Sequence, residues 1–159
     1  MANYCANTLT VKGNPKELNI FKTAVWKSKV KPLDFSGTVP MPAELKDTES
    51  PNDSKPIIKS ILRAKYGSDN WYDWQLKNWG CKWGPYKGIR NPKEKEYKNG
   101  NESLVYDFDT PWSPPTEWII NTSKLFPTLT FKNYCNEPGC NFKGTQIIIN
   151  GIITKDTIK

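Results

Sequence analysis

The 159-residue sequence contains no histidine. That removes Ser-His-Asp and Cys-His nucleophilic catalysis, histidine metal sites and imidazole acid/base chemistry. Arginine is nearly absent: Arg63 and Arg90 stand against 21 lysines. Arginine makes the bidentate contacts to phosphate and guanine, whereas lysine acts as a point charge. A protein that reads DNA sequence is therefore not expected. No apolar run approaches the ~18 residues of a membrane helix, so no membrane association is expected. The first fifteen residues are polar and carry no hydrophobic leader, and the expected location is the cytoplasm of a bacterial host.

Cysteine is present but sparse: Cys5, Cys81, Cys135 and Cys140. Only Cys135 and Cys140 are close in sequence, and the paired spacings of a zinc site are missing. In a reducing compartment these read as thiols rather than disulfides. Neither a metal nor a cofactor is expected.

What the chain has is charge in blocks and many aromatics. Net charge is +7. Residues 1–33 and 77–100 are basic, while 34–54 and 101–118 are acidic. A two-signed surface of this kind steers a partner.

Hydrophobic periodicity sets the element order. Leu9 and Val11 alternate in a strand over 7–12. Asn14-Pro15 opens a helix over 15–28, with Leu18, Phe21 and Val25 on its buried face. Residues 29–56 hold five prolines and most of the first acidic block. They read as an irregular segment, extended at 35–39 and turning into helix at 42–45. Ile57, Ile58, Ile61, Leu62 and Tyr66 have helical spacing, and Gly67 stops that helix. A second helix over 71–78 is capped by Asp69 or Asn70 and followed by Gly80. Strands are expected at 81–87 and 103–109, joined by a charged, exposed hairpin loop over 91–101. Ser113 is the expected cap of a helix whose first position is Pro114 and whose buried face is Trp118, Ile119, Thr122, Leu125 and Phe126. Strands at 128–135 and 141–149 flank the turn Asn136-Glu137-Pro138-Gly139, and Asn150-Gly151 signals a hairpin into a last strand at 152–154.

This order predicts an α+β fold: a ferredoxin-like βαββαβ sandwich, an antiparallel sheet with two helices on one face. The expectation is a single domain over 1–159, with a loop and helices inserted at 29–80 and a C-terminal hairpin.

Four strings carry a family resemblance. They are Val39-Pro40-Met41-Pro42-Ala43-Glu44-Leu45; Asn70-Trp71-Tyr72-Asp73-Trp74 through Trp79-Gly80-Cys81-Lys82-Trp83-Gly84; Phe108-Asp109-Thr110-Pro111-Trp112-Ser113-Pro114-Pro115; and Tyr134-Cys135-Asn136-Glu137-Pro138-Gly139. With the opening Met1-Ala2-Asn3-Tyr4-Cys5-Ala6-Asn7, the sequence resembles the YubB-like family over nearly its whole length. The resemblance implies a ferredoxin-like fold and a phage or plasmid origin. It assigns no catalytic residue.

The densest chemical feature is the aromatic string Trp71, Trp74, Trp79, Trp83 and Tyr86, interleaved with Lys82, Lys87 and Arg90. Aromatics beside cations stack on bases or nucleotides, and tryptophan anchors protein interfaces. The same residues also suit pinning a helix to a sheet. With Trp112, they form the candidate ligand- or partner-binding set.

Three lesser candidates follow. The helix start after Ser113 offers free amides to an anion. Asp107 and Asp109 share one face of a strand, as a metal-dependent nuclease would require. Glu137 is a lone carboxylate in a tight turn. No catalytic residue is assigned.

The functional expectation is a non-enzymatic accessory protein of a mobile element that acts by binding. It would be an anti-CRISPR or other anti-defence protein that occludes a host defence protein or sequesters a nucleotide messenger. The alternative is a single-stranded nucleic-acid or RNA-binding module, with the basic block 77–100 supplying weak backbone contacts.

Overall fold

A computed structural model of the chain describes residues 3–86, 89 and 91–159. Strand β1 (Tyr4–Gly13) leads into helix α1 (Pro15–Val25). The Asn14 side chain accepts the Lys16 amide, and Pro15 sits where a helix needs no donor. Leu18, Phe21 and Val25 are the buried residues of α1. A 3-10 turn at Phe35–Gly37 and helices α2 (Ala43–Lys46), α3 (Pro56–Tyr66) and α4 (Trp71–Trp79) follow. The remaining elements are β2 (Lys93–Glu96), β3 (Glu102–Pro111), α5 (Thr116–Leu125), β4 (Thr130–Glu137), β5 (Phe142–Ile149) and β6 (Ile152–Asp156).

The strands form one antiparallel sheet in the order β2-β3-β1-β4-β5-β6. β1 pairs with β3 on one side and β4 on the other. Alternation gives the sheet two unlike faces. Leu9 and Val11 of β1, Leu104, Tyr106 and Phe108 of β3, and Phe131 of β4 face the helices and are buried. Phe21 of α1 meets Tyr106, Phe126 and Phe131 edge-on, at 5.6–6.1 Å between ring centres. Such pairs add about 0.5–1.5 kcal/mol beyond burial.

The segment between α1 and β2 reaches into this same core. Phe35 stacks on Trp118 of α5 at 4.2 Å. The Trp118 indole donates to the Phe35 carbonyl and to Thr38 Oγ1. The turn that delivers Phe35 lies against α1: a Cβ on Gly37 would sit 1.9 Å from the Ala24 carbonyl oxygen. Glycine is required there by close approach.

Several local expectations are corrected. α1 ends at Val25, short of residue 28, and residues 35–37 form a 3-10 turn rather than an extended segment. Residues 81–86 do not form a regular strand, and Tyr86 makes an isolated backbone bridge to Asp109; residue 87, the end of the expected strand, lies outside the described residues. The regular partner of β3 is β2, inside the segment read as an exposed loop. Pro85 carries no amide donor, whereas Lys93–Glu96 offers an unbroken backbone ladder.

Ser113 is not the cap of α5. Its hydroxyl donates to the Gly80 carbonyl, and the helix starts at Thr116 without a side-chain cap. Gly80, at φ 81°, lies against that helix start, where a Cβ would come 3.2 Å from the Glu117 amide. The proposed anion site at this helix start is therefore occupied by protein. Leu125 is exposed rather than buried, whereas Phe126 is buried just beyond the helix. On α3, Ile57, Ile58 and Ile61 are exposed.

Candidate nucleic-acid interface

Among the described residues, the aromatic string does not converge on one open cleft. Trp74 and Trp79 are buried core residues, 6% and 5% exposed, and meet edge-on at 5.8 Å. The Trp79 indole donates to the Val39 carbonyl at 2.9 Å. Trp71 is half-buried; its backbone amide donates to Thr48 Oγ1, and its ring meets Tyr72 edge-on. Trp83 is half-buried, and its indole nitrogen has no hydrogen-bond acceptor among the described residues. Lys82 Nζ lies 5.0 Å from the Trp83 ring centre and 5.8 Å from that of Tyr72. Trp112 is exposed at φ 67°, and its amide donates to the Asn3 carbonyl. Tyr86 is exposed and stacks on Tyr4 at 5.7 Å. Lys87 and Arg90 lie outside the described residues. Cys81, between Trp79 and Trp83, is fully buried, and burial pushes its thiol up to about 12.

The other candidates are structurally engaged. Asp107 accepts from Thr8 Oγ1 at 2.8 Å and pairs with Lys93 at 3.7 Å. Asp109 exchanges backbone hydrogen bonds with Tyr86. Glu137 accepts the amides of Gly139 and Cys140. The Cys140 thiol and those amides hold its carboxyl below the usual range. Among the described residues no group of three or more His, Cys, Asp or Glu side chains is placed to hold a metal ion.

The chemistry gathers instead on the sheet face that no helix among the described residues covers. Pairing aligns residues into rows across the strands. One row runs Lys93–Val105–Thr10–Lys132–Ile147–Lys155, through all six strands. The adjacent row runs Lys95–Ser103–Lys12–Thr130. The next, Asp107–Thr8–Tyr134–Thr145, carries an exposed tyrosine. Beyond it lie Asp109–Ala6–Asn136–Lys143 and the pair Pro111–Tyr4. Five lysines therefore stand in two neighbouring rows, and the tyrosines Tyr134, Tyr4 and Tyr86 follow along the same face.

At the lysine end the surface is concave. A cavity of about 530 Å³ is lined by Lys12, Lys93, Glu94, Lys95, Lys132 and Tyr97, with Val105 and Ile147 as its apolar floor. Tyr97 follows β2 and folds back over the sheet. Its hydroxyl lies 3.4 Å from Ser103 Oγ, and Lys12 Nζ sits 3.9 Å from its ring centre. Lys95 Nζ is 5.1 Å from the same centre. Among the described residues no carboxylate lies within ion-pair reach of Lys12, Lys95 or Lys132. Glu94, on the same strand as Lys93 and Lys95, pairs with Lys22 of α1. The Ser103 hydrogen bond, and then Lys95, Lys12 and Lys132, hold the Tyr97 hydroxyl below the usual phenol value. The arrangement is a basin in which four lysines outnumber the one lining carboxylate, Glu94, with an aromatic wall, suited to bind an anion that carries a flat or apolar group.

These residues escaped a reading of the sequence alone. Lys93-Glu94-Lys95-Glu96 alternates with period two, which is a strand signal, yet it has no apolar member to mark a buried face. Lys12 and Lys132 are 120 positions apart and meet only through strand pairing.

Residues 93–159, from β2 onward, match a family described as the ferredoxin-like domain in Api92-like protein. The fold is thus a mixed α/β one with a ferredoxin-like domain and a six-stranded antiparallel sheet. Across its whole length the chain is similar to the crystal structure of the protein api92 from Yersinia pseudotuberculosis. The match has a TM-score of 0.57 at 11% sequence identity and covers 100% of this chain and 98% of that one. At that identity the likeness is one of fold. No curated protein matches the chain. Among the described residues no helix is long and apolar enough to cross a membrane.

Proposed function

We propose that this protein acts by binding rather than turnover, and that it lays single-stranded nucleic acid across the open face of its sheet. The observation that carries the reading is the placement of Lys12, Lys93, Lys95, Lys132 and Lys155 in two adjacent rows of that face. Lysines in register follow a phosphate backbone without reading its sequence, which accords with the scarcity of arginine. Tyr134, Tyr4 and Tyr86 supply flat surfaces further along, and stacking on an aromatic ring is worth about 1–3 kcal/mol per base. This reading takes the elements β1-α1-β2-β3-α5-β4 as a ferredoxin-like βαββαβ unit, with residues 29–80 as its insertion.

YubB-like kinship would place the protein on a phage or plasmid, where binding serves counter-defence. A second reading has a specific observation behind it. The cavity of about 530 Å³ falls within the ~300–1,000 Å³ of small-ligand sites, so sequestration of a nucleotide messenger uses the same basin.

The test is fluorescence anisotropy with a single-stranded oligonucleotide, titrated with salt. Binding should weaken as salt rises, with a log–log slope of about −0.7 per phosphate neutralised. Replacing Lys93, Lys95 and Lys132 together by glutamine should flatten that slope. Binding that is absent, or insensitive to both salt and these substitutions, overturns the proposal.

A further inference from the structure

The two ends of the open face are not equivalent. β1 runs from Tyr4 to Lys12 across it, a span of about 26 Å at strand spacing. Among the described residues, the Tyr4 end of the face carries the stacked Tyr4–Tyr86 pair, at 5.7 Å. At the Lys12 end it is partly covered by Tyr97. The turn after β2, held by the Tyr97 amide on the Asn101 carbonyl and the Gly100 amide on the Tyr97 carbonyl, folds Tyr97 back over the Lys95–Ser103–Lys12 row. The Tyr97 hydroxyl reaches Ser103 on β3, and its ring reaches the Lys12 ammonium on β1. A strand laid along the face meets this ring as a stop.

The charge at the stop exceeds what an internal phosphate can match. Lys12, Lys93, Lys95 and Lys132 line one cavity together with Glu94, and among the described residues only Lys93 of these four forms an ion pair, with Asp107 at 3.7 Å. A phosphodiester brings one negative charge. A terminal phosphomonoester brings about −1.5 to −2 at pH 7 and three acceptor oxygens. Glu94 also lines the cavity, and its carboxylate pairs with Lys22 of α1.

We infer that the cavity walled by Tyr97 takes a nucleotide bearing a phosphomonoester, supplied either by the end of a nucleic-acid strand or by a free nucleotide. The inference rests on the strand-binding reading of the open face and adds to it an end and a chemical group. Lys12 and Lys132 contact the monoester, Lys95 closes the far side, and the Val105–Ile147 floor receives the base or sugar.

The experiment compares oligonucleotides about eight long, within the ~4–16 nucleotide range of single-strand sites. They carry a 5′-phosphate, a 3′-phosphate or hydroxyls at both ends, and free nucleoside monophosphate serves as competitor. One phosphorylated form should bind about tenfold more tightly than the hydroxyl form, the worth of one extra charge-assisted contact. The advantage should disappear in the Lys12→Gln/Lys132→Gln variant and persist in Lys46→Gln, which changes an exposed lysine of α2. Unchanged melting temperatures of the variants establish that they are folded. Competition by free nucleotide at comparable concentration identifies a free nucleotide as the source; resistance to it identifies a strand terminus. Equal binding of all three oligonucleotides overturns the end-recognition inference while leaving strand binding intact. An advantage that survives the double substitution overturns the site. Failure of every oligonucleotide to bind overturns the strand-binding reading, and failure of the nucleoside monophosphate to bind as well overturns the site.

Discussion

Lys12 holds its ammonium 3.9 Å from the centre of the Tyr97 ring, although 85 positions separate the two residues. The contact crosses from the centre of the sheet to the turn after an edge strand, and it builds the wall of the basic cavity. It also contributes, after the Ser103 hydrogen bond and Lys95, to how the phenol titrates. With Ser103 bonded to it and Lys95, Lys12 and Lys132 nearby, Tyr97 loses its proton below the usual phenol value. Tyr106, on the opposite face of the same sheet, is pushed up by burial and then by Glu94. Alkaline spectrophotometric titration should therefore show an early phenol and a late one. Lys12→Gln should move the early phase to higher pH and leave the late phase in place. An early phase unaffected by this substitution would contradict the described contact.

The buried indoles give a second prediction, one that separates scaffold from interface. Trp79 is 5% exposed and bonded to Val39. Trp79→Ala should cost about 3–5 kcal/mol of stability, in line with large-to-small core changes. Trp79→Phe should cost less and stay folded. Its affinity for oligonucleotide, measured well below the melting temperature, should equal that of the parent. A large loss of affinity in folded Trp79→Phe would return the aromatic string to the binding site.

Glu44 provides a pH test. Its carboxyl is lowered from 4.5 to about 2 by the Tyr66 hydroxyl and then by Lys65. Lys65 Nζ lies 2.9 Å from Glu44 Oε1. The folded state thus releases this proton more readily than the unfolded chain. The resulting stabilisation is complete above 4.5 and fades as pH falls through about 2. The stability difference between the parent and Glu44→Gln should be present at neutral pH and shrink across that window. Denaturant midpoints taken at stepped pH check it; a difference that grows toward low pH would have the wrong sign. Both side chains are exposed, so screening keeps the effect small.

How much of this structure was legible beforehand depends on the range of the interactions involved. Local patterns read well. Leu18, Phe21 and Val25 mark the buried side of α1. Asn70 caps α4, and Gly80 ends it in the left-handed conformation. Asn150 and Gly151 turn the chain at φ 46° and 77°. Partner choice at a distance did not read well. The edge of β3 is taken by Lys93–Glu96, a strand with no apolar residue, because the backbone ladder and the Lys22–Glu94 pair suffice to hold it. Ser113 looked like a helix cap because its local pattern is a capping one, yet its hydroxyl is drawn to Gly80, 33 positions away. The floor of the basin is assembled by register: Lys95, Ser103, Lys12 and Thr130 come from four strands. Nothing within a short window of sequence could bring them together.

The most direct test is the affinity of the folded protein for a single-stranded oligonucleotide across a salt series, with and without Lys12, Lys93, Lys95 and Lys132. Affinity that falls steeply with salt in the parent, and both weakens and loses that dependence in the quadruple glutamine variant, is the expected result. Equal affinity and equal slope in parent and variant would show that the open face of the sheet is not where this protein binds.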